Sequence, residues 1–266
     1  MQVALLQYDI AWEDKSSNHE RMEAMLSEAG LGPDTYILLP ELSDTGFSMN
    51  LDTIAADGGR SVAWARDMAR EHGWTIQIGH AERDPAGKGR NCATIATPTG
   101  MTATYQKVYP MSILAEGRHY VAGHHLLIQD VQGVSVAPMI CYDLRFPELF
   151  RLASVAGAEL FALGACWPIP RIAHWRSLLI ARALEGQAWV LGCNRVGTDP
   201  NLSYGGTSMI ISPEGEVIAE ADQSEECVLS ATLDVESARK FREQFPVLRD
   251  VRDDLLGDIK IIRATE

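Results

Sequence analysis

The stretch Val134-Ser135-Val136-Ala137-Pro138-Met139-Ile140-Cys141-Tyr142-Asp143-Leu144-Arg145-Phe146-Pro147-Glu148 reads as a strand that runs into a turn and then opens a helix. Its first part is apolar and β-rich, and the acidic and proline residues after Cys141 suit a first helical turn. Cys141 stands at the hinge. A sulfur there sits near backbone N–H groups without helical acceptors, an environment that favours thiolate. Taken alone, the segment fits a buried cysteine at a strand end better. The rest of the chain has to decide.

Working outward, short apolar runs alternate with segments of helical periodicity. Val3 to Tyr8 predicts a strand, Asn18 to Glu28 a helix with Met22, Met25 and Leu26 on one face, and Tyr36-Ile37-Leu38-Leu39 a second strand ending at Pro40-Glu41. Ser61 to Glu71 predicts a helix, Thr75 to Gly79 a strand, and Asn91 to Thr97 another, paired as a hairpin with Thr102 to Lys107 through Pro98-Thr99-Gly100. Beyond Cys141 come a helix from Pro147 to Val155, a strand from Leu160 to Leu163 and a helix from Ile172 to Gly186. Strands at 189–194, 207–211, 216–220 and 228–233 follow. Such alternation with late hairpins predicts an α/β fold of mixed sheets covered by helices. The length and apolar content suit one domain over residues 1–266, with a charged tail from about residue 245 expected to dock on a partner subunit.

The formal charge of −13, with no dense Lys/Arg cluster, argues against nucleic acid as a partner. No basic leader opens the chain and no run is long enough to span a bilayer, so no membrane partner and a cytoplasmic location are expected. Cys92, Cys141, Cys166, Cys193 and Cys227 are widely spread, odd in number and free of any CxxC pair, which points to reduced thiols. His119, His124 and His125 lack metal-ligand spacing, and Gly205-Gly206 lacks a phosphate-cradle pattern. Neither a metal nor a cofactor is expected.

Three chemically distinct side chains recur at predicted strand ends: Glu41, Lys107 and Cys141. Cysteine supplies a nucleophile, a carboxylate can take its proton and later activate water, and an amine can meet a developing oxyanion. Singly, a strand-end glutamate is more often a capping or surface carboxylate, and a lysine after a strand is usually solvated. Together they form a candidate active site.

With Leu38-Leu39-Pro40-Glu41, Tyr105-Gln106-Lys107 and Ile140-Cys141-Tyr142-Asp143 in this order, the sequence resembles the nitrilase (carbon–nitrogen hydrolase) superfamily. The likeness extends through Glu116 to Gly123, Ala181-Arg182-Ala183-Leu184-Glu185, Asn194-Arg195-Val196-Gly197 and Gly205-Gly206-Thr207-Ser208, and so covers nearly the whole chain. The resemblance implies a four-layer αββα sandwich, pairing through helical faces into a homodimer or larger homo-oligomer. It implies Glu41 as general base, Lys107 as stabiliser of the tetrahedral intermediate, and Cys141 as the residue that forms a thioester with loss of ammonia or amine. Glu116 matches a second acidic residue beside the triad, and the backbone N–H of Tyr142 matches an oxyanion donor. Cys166, Trp167 and Arg171 follow a strand end from which they would line the substrate pocket. Asp143 and Arg145 are expected to fix the local turn through an ion pair.

Within the superfamily, Cys141 to Glu148 and Trp167-Pro168-Ile169-Pro170-Arg171 most resemble the omega-amidase-like bacterial branch, which implies a small-molecule substrate, an ω-amide of a dicarboxylic acid. Val108-Tyr109-Pro110-Met111, Cys166 and Gly186 depart from that pattern; Cys166 stands where asparagine often precedes the tryptophan. The reading is therefore a thiol amidohydrolase, with nitrilase or N-carbamoyl amidohydrolase as the alternatives inside the superfamily. A metal-dependent phosphoesterase and a catalytically silent binding protein are the alternatives outside it.

Overall fold

The computed structural model describes residues 1–57, 59–255, 257 and 260–264. Among them the strands are β1 Gln2–Gln7, β2 Thr35–Leu38, β3 Thr75–Arg83, β4 Gly89–Ala96, β5 Thr102–Gln106, β6 His125–Val131, β7 Val134–Ile140 and β8 Leu160–Ala165. They continue with β9 Trp189–Asn194, β10 Val196–Thr198, β11 Ser203–Gly205, β12 Met209–Ile211, β13 Val217–Glu220, β14 Cys227–Thr232 and β15 Lys260–Ala264. The α-helices are α1 Lys15–Glu28, α2 Leu51–Ile54, α3 Arg60–His72, α4 Pro147–Val155, α5 Ile172–Gly186 and α6 Val235–Gln244. Helix α1 starts at Lys15, three residues before the expected Asn18, because the Asp14 side chain accepts the Ser17 N–H at 3.0 Å and caps the helix there.

Two mixed sheets form. The first has the order β14-β1-β2-β3-β4-β5, with β1, β2 and β3 parallel, β14 and β4 antiparallel to them and β5 antiparallel to β4. The second has the order β13-β12-β9-β8-β7-β6-β15, with β7, β8 and β9 as its parallel centre. Strand alternation sorts the apolar residues into layers. Ala4, Leu6, Ile37, Ile76 and Ile78 face Met22, Leu26, Ala65 and Met68 of α1 and α3. Val3, Leu5, Tyr36 and Leu38 face Val136, Leu160, Ala162 and Leu191 of the other sheet. Ala137, Met139, Phe161, Leu163 and Val190 face Phe150, Trp175, Leu179 and Ala183 of α4 and α5. The order is helix, sheet, sheet, helix, the αββα sandwich that the resemblance implies.

Both faces of the central strands are buried, so these strands read as continuous apolar runs. Their C-terminal ends lie together, and one close approach depends on glycine. A Cβ on Gly79 would come within 2.4 Å of the Pro40 carbonyl, and one on Gly164 within 2.5 Å of the Leu39 carbonyl. These two glycines let Pro40-Glu41 pass between β3 and β8. The tail beyond α6 returns as β15 and pairs in parallel with β6 of this same chain, Lys260 opposite His125 and Ala264 opposite Gln129. Residues 256, 258–259 and 265–266 of that tail lie outside the described residues.

Candidate active site

Strand ends position the polar cluster. Glu41 follows β2 by three residues, Lys107 follows β5 directly and Cys141 follows β7 directly, where the chain tightens into a 3₁₀ turn over Cys141–Arg145. Cys141 has φ of 42°, a left-handed conformation that a non-glycine residue adopts at a cost of roughly 1–3 kcal/mol. The sharp turn points its side chain off the strand end, and Tyr142, as the second residue of the turn, has a backbone N–H without an intrahelical acceptor.

Lys107 Nζ donates to Glu41 Oε1 at 2.7 Å and to both Glu116 oxygens at 3.0 Å. All three side chains are at most 2 % exposed, as is Cys141. Glu116 is held in turn by the Met111 N–H at 2.6 Å, and the second oxygen of Glu41 by the Cys166 N–H at 3.1 Å. Asn91, from β4, donates to Glu41 Oε1 at 2.8 Å and to Glu116 Oε1 at 3.2 Å. Sequence reasoning missed Asn91. Its place beside Lys107 follows from the β4–β5 register, which sets Cys92 opposite Gln106.

The electrostatics correct one expectation. Burial pushes the Cys141 thiol well above its ordinary pKa, and the charge on Glu41 pushes it further, against the pull of Lys107. Turn N–H groups do not make this thiol a resting thiolate. It stays protonated until a base takes the proton, and Glu41 is the adjacent carboxylate. Burial also works against the charge on Lys107, but Glu116 and Glu41 overcome it and hold the ammonium well above the ordinary lysine value. One cation between two carboxylates therefore stays charged over the whole working range.

On the far side of Glu41 lie Cys166 and Trp167. Trp167 is locked at both ends: its N–H meets Asn194 Oδ1 at 2.7 Å, Asn194 Nδ2 returns to its carbonyl at 3.0 Å, and its indole N–H meets the Arg171 carbonyl at 2.7 Å. Arg145 does not pair with Asp143 as expected. Its guanidinium lies 4.6 Å from the Trp167 ring centroid and 5.9 Å from that of Tyr142. Burial lowers its pKa, the nearby Tyr142 opposes this, and the charge of Arg171 adds to the lowering. Asp143 instead accepts the Tyr105 hydroxyl, the Tyr109 N–H and the Ile140 N–H. The structure thus brings Glu41, Lys107, Glu116 and Cys141 into one buried cluster. Tyr142, Cys166 and Trp167 flank it, Arg171 reaches Trp167 through its backbone carbonyl, and Arg145 joins them although sequence reasoning assigned it elsewhere.

Comparison with known proteins bears on this geometry. The family model described as carbon-nitrogen hydrolase matches residues 2–243. The 2-oxoglutaramate amidase of Bacillus subtilis (strain 168) is 36 % identical over 256 residues, covering 95 % of this chain and 98 % of that protein. Omega-amidase YafV of Escherichia coli (strain K12) is 34 % identical over 251 residues, covering 94 % and 96 %. Among solved structures, XC1258 from Xanthomonas campestris, a CN-hydrolase superfamily protein with an arsenic adduct in its active site, superimposes with a TM-score of 0.89. It is 30 % identical, with 95 % of this chain and 97 % of that one covered. A match that runs from β1 into α6, on a fold that gathers a buried thiol, amine and carboxylates at its strand ends, places the chain in the carbon–nitrogen hydrolase family.

Proposed function

We infer that this enzyme is a thiol amidohydrolase of short ω-amides of dicarboxylic acids, and that Cys141, Glu41, Lys107 and Glu116 carry its chemistry. The observation that carries the reading is the buried Lys107, bonded to both glutamates beside a thiol whose proton burial retains. Glu41 takes the Cys141 proton as sulfur attacks the amide carbon. The oxyanion that forms is met by the Lys107 ammonium and the Tyr142 N–H. Glu41 returns the proton to the amide nitrogen, the C–N bond breaks and ammonia leaves a thioester on Cys141. Water, deprotonated by Glu41, then releases the carboxylic acid and restores the thiol. Glu116 holds Lys107 in place and charged.

Substrate choice is argued from the other side of the site. Arg145 sets its guanidinium over Trp167 with the charge of Arg171 acting on it, and neither guanidinium is paired with a carboxylate among the described residues. A desolvated bidentate pair with a distal substrate carboxylate would satisfy them. The names of the 2-oxoglutaramate amidase and omega-amidase relatives support the same class. Exposed Val155 of α4 and Leu184 of α5 support a homodimer through that helical face, and five free cysteines support a cytoplasmic location. The test compares kcat/KM for 2-oxoglutaramate and succinamate with a neutral aliphatic amide and the corresponding nitrile, with ammonia as the readout. Preference for the neutral amide rejects carboxylate recognition and leaves the amidase reading intact. Dominant nitrile turnover overturns both.

A further inference from the structure

The side chain of Asn91 is buried in the cluster, and the chemistry above leaves it without a task. Its backbone carbonyl accepts the Lys107 N–H at 2.9 Å, so the β4–β5 pairing that seats Lys107 seats Asn91 with it. A side-chain amide has two N–H bonds. Asn91 directs them to Glu41 Oε1 at 2.8 Å and to Glu116 Oε1 at 3.2 Å. Turned over, the amide would set its own oxygen against two carboxylates, so charge fixes which end faces them. Its Oδ1 meets no protein donor among the described residues. A leucine fills a similar volume without burying that oxygen, so packing alone does not call for asparagine here. What the residue contributes is donation to the two carboxylates.

A carboxylate offers about four lone-pair positions, two on each oxygen. On Glu41, Oε1 accepts Lys107 Nζ at 2.7 Å and Asn91 Nδ2 at 2.8 Å, whereas Oε2 accepts the Cys166 N–H at 3.1 Å. Oε1 is therefore filled, and Oε2 keeps one position open. After burial, the Glu41 carboxylate is what acts most strongly on the Cys141 thiol. The thiol proton has one place to go on that carboxylate.

We propose that Asn91 is a positioning residue: together with Lys107 it closes Glu41 Oε1, so that Oε2 receives the Cys141 proton and returns it to the amide nitrogen. The proposal rests on the reading of Glu41 as the base for Cys141. The steps balance without a new participant: the S–H bond breaks as sulfur bonds the amide carbon, the proton rests on Oε2, and an N–H bond forms as the C–N bond breaks. Because a hydrogen bond to the ionised form favours that form, the two donors also keep both carboxylates ready. The titratable groups that face Glu41 are Lys107, Glu116, Cys141, Cys166 and the Tyr120 hydroxyl, which donates to the Ser48 carbonyl at 2.7 Å. Of these, Lys107 is the one that shares Oε1 with Asn91.

The experiment follows alkylation of Cys141 by iodoacetamide against pH, read on the Cys141 peptide by mass spectrometry, for the native enzyme, Glu41→Gln, Asn91→Leu and Asn91→Asp. No amide substrate enters, so the choice of substrate does not affect the result. The native rate should fall on the acid side as Glu41 takes a proton, and that limb should move up by roughly one pH unit in both Asn91 variants. For succinamate, kcat at the plateau should fall roughly tenfold with KM little changed. Asn91→Asp keeps the volume and carries the test if a thermal melt shows Asn91→Leu unfolded. A loss of rate that is equal at every pH makes Asn91 a packing residue and overturns the proposal, as does a limb that stays in place in the folded variants. If Glu41→Gln alkylates as the native enzyme does, the base reading fails and takes the proposal with it. Neutron diffraction from the native enzyme should find the thiol deuteron directed at Oε2; one directed at Oε1 overturns the assignment.

Discussion

The Tyr105 hydroxyl donates to Asp143 Oδ2 at 2.8 Å, tying the strand that carries Lys107 to the turn that carries Cys141. Asp143 also accepts the Tyr109 and Ile140 N–H groups, at 3.0 and 3.1 Å, so one buried carboxylate fixes the chain on both sides of the gap. This contact joins the segments that present the thiol and the ammonium.

Asp143→Ala should therefore lower kcat by roughly ten- to a hundredfold with little change in KM, the pattern of misplaced rather than missing groups. Steady-state kinetics on folded protein check this. A rise in KM alone would assign Asp143 to substrate binding.

The same carboxyl has a pH signature. Burial pushes Asp143 from 3.8 up to about 7, against the pull of Lys107 and its hydrogen-bond donors. Protonation thus favours the folded state, and the contribution is complete below about pH 4 and lost as pH rises through about 7. Melting temperatures of the native enzyme should fall between about pH 4 and 7 relative to those of Asp143→Asn. Parallel curves for the two proteins would refute the assignment.

Removing the cation of the cluster strands two buried carboxylates. Lys107→Met should lower kcat at least roughly a hundredfold and destabilise the fold by about 3–5 kcal/mol. Adding Glu116→Gln should recover part of the stability and none of the activity. If chemical denaturation finds Lys107→Met as stable as the native enzyme, the charge balance drawn from the geometry is wrong.

Covalent catalysis places the acyl group on one sulfur. Acid quench during turnover should trap an adduct on the peptide containing Cys141, and Glu41→Gln should slow its formation at least roughly a hundredfold. Mass spectrometry distinguishes the five thiols, and an adduct on Cys166 would sink the assignment.

Arg145→Ala and Arg171→Ala should each raise KM for succinamate by roughly ten- to a hundredfold while leaving KM for propionamide near its native value. Equal effects on both substrates would give the arginines a structural role instead.

The gathering of Glu41, Lys107 and Cys141 was legible because each follows a strand end, and strand ends in such sheets converge. Cys141 as a resting thiolate was misread because the turn is local information, whereas burial comes from two stacked sheets. Asn91 could not be found from its own neighbourhood; its contact with Glu41 needs the β4–β5 register and the packing of Pro40-Glu41 against Gly79. Arg145 was assigned to Asp143 by proximity in sequence, but Tyr105 and Tyr109, more than thirty positions away, take that carboxylate. Mixed sheets covered by helices followed from periodicity and the four-layer order from the family resemblance, and the boundary of α1 from neither, because a side-chain cap set it.

Strand β1 pairs along its length with β14, Gln2 opposite Thr232 and Gln7 opposite Cys227. During synthesis at roughly 5–20 residues per second, about 10–40 s separate the emergence of these partners from the ribosome. For that interval the strand beside β2 has one open, apolar edge, the kind that recruits other chains. Yield of active enzyme should depend on how well the cell shields that edge, and less on the chemistry the edge later supports.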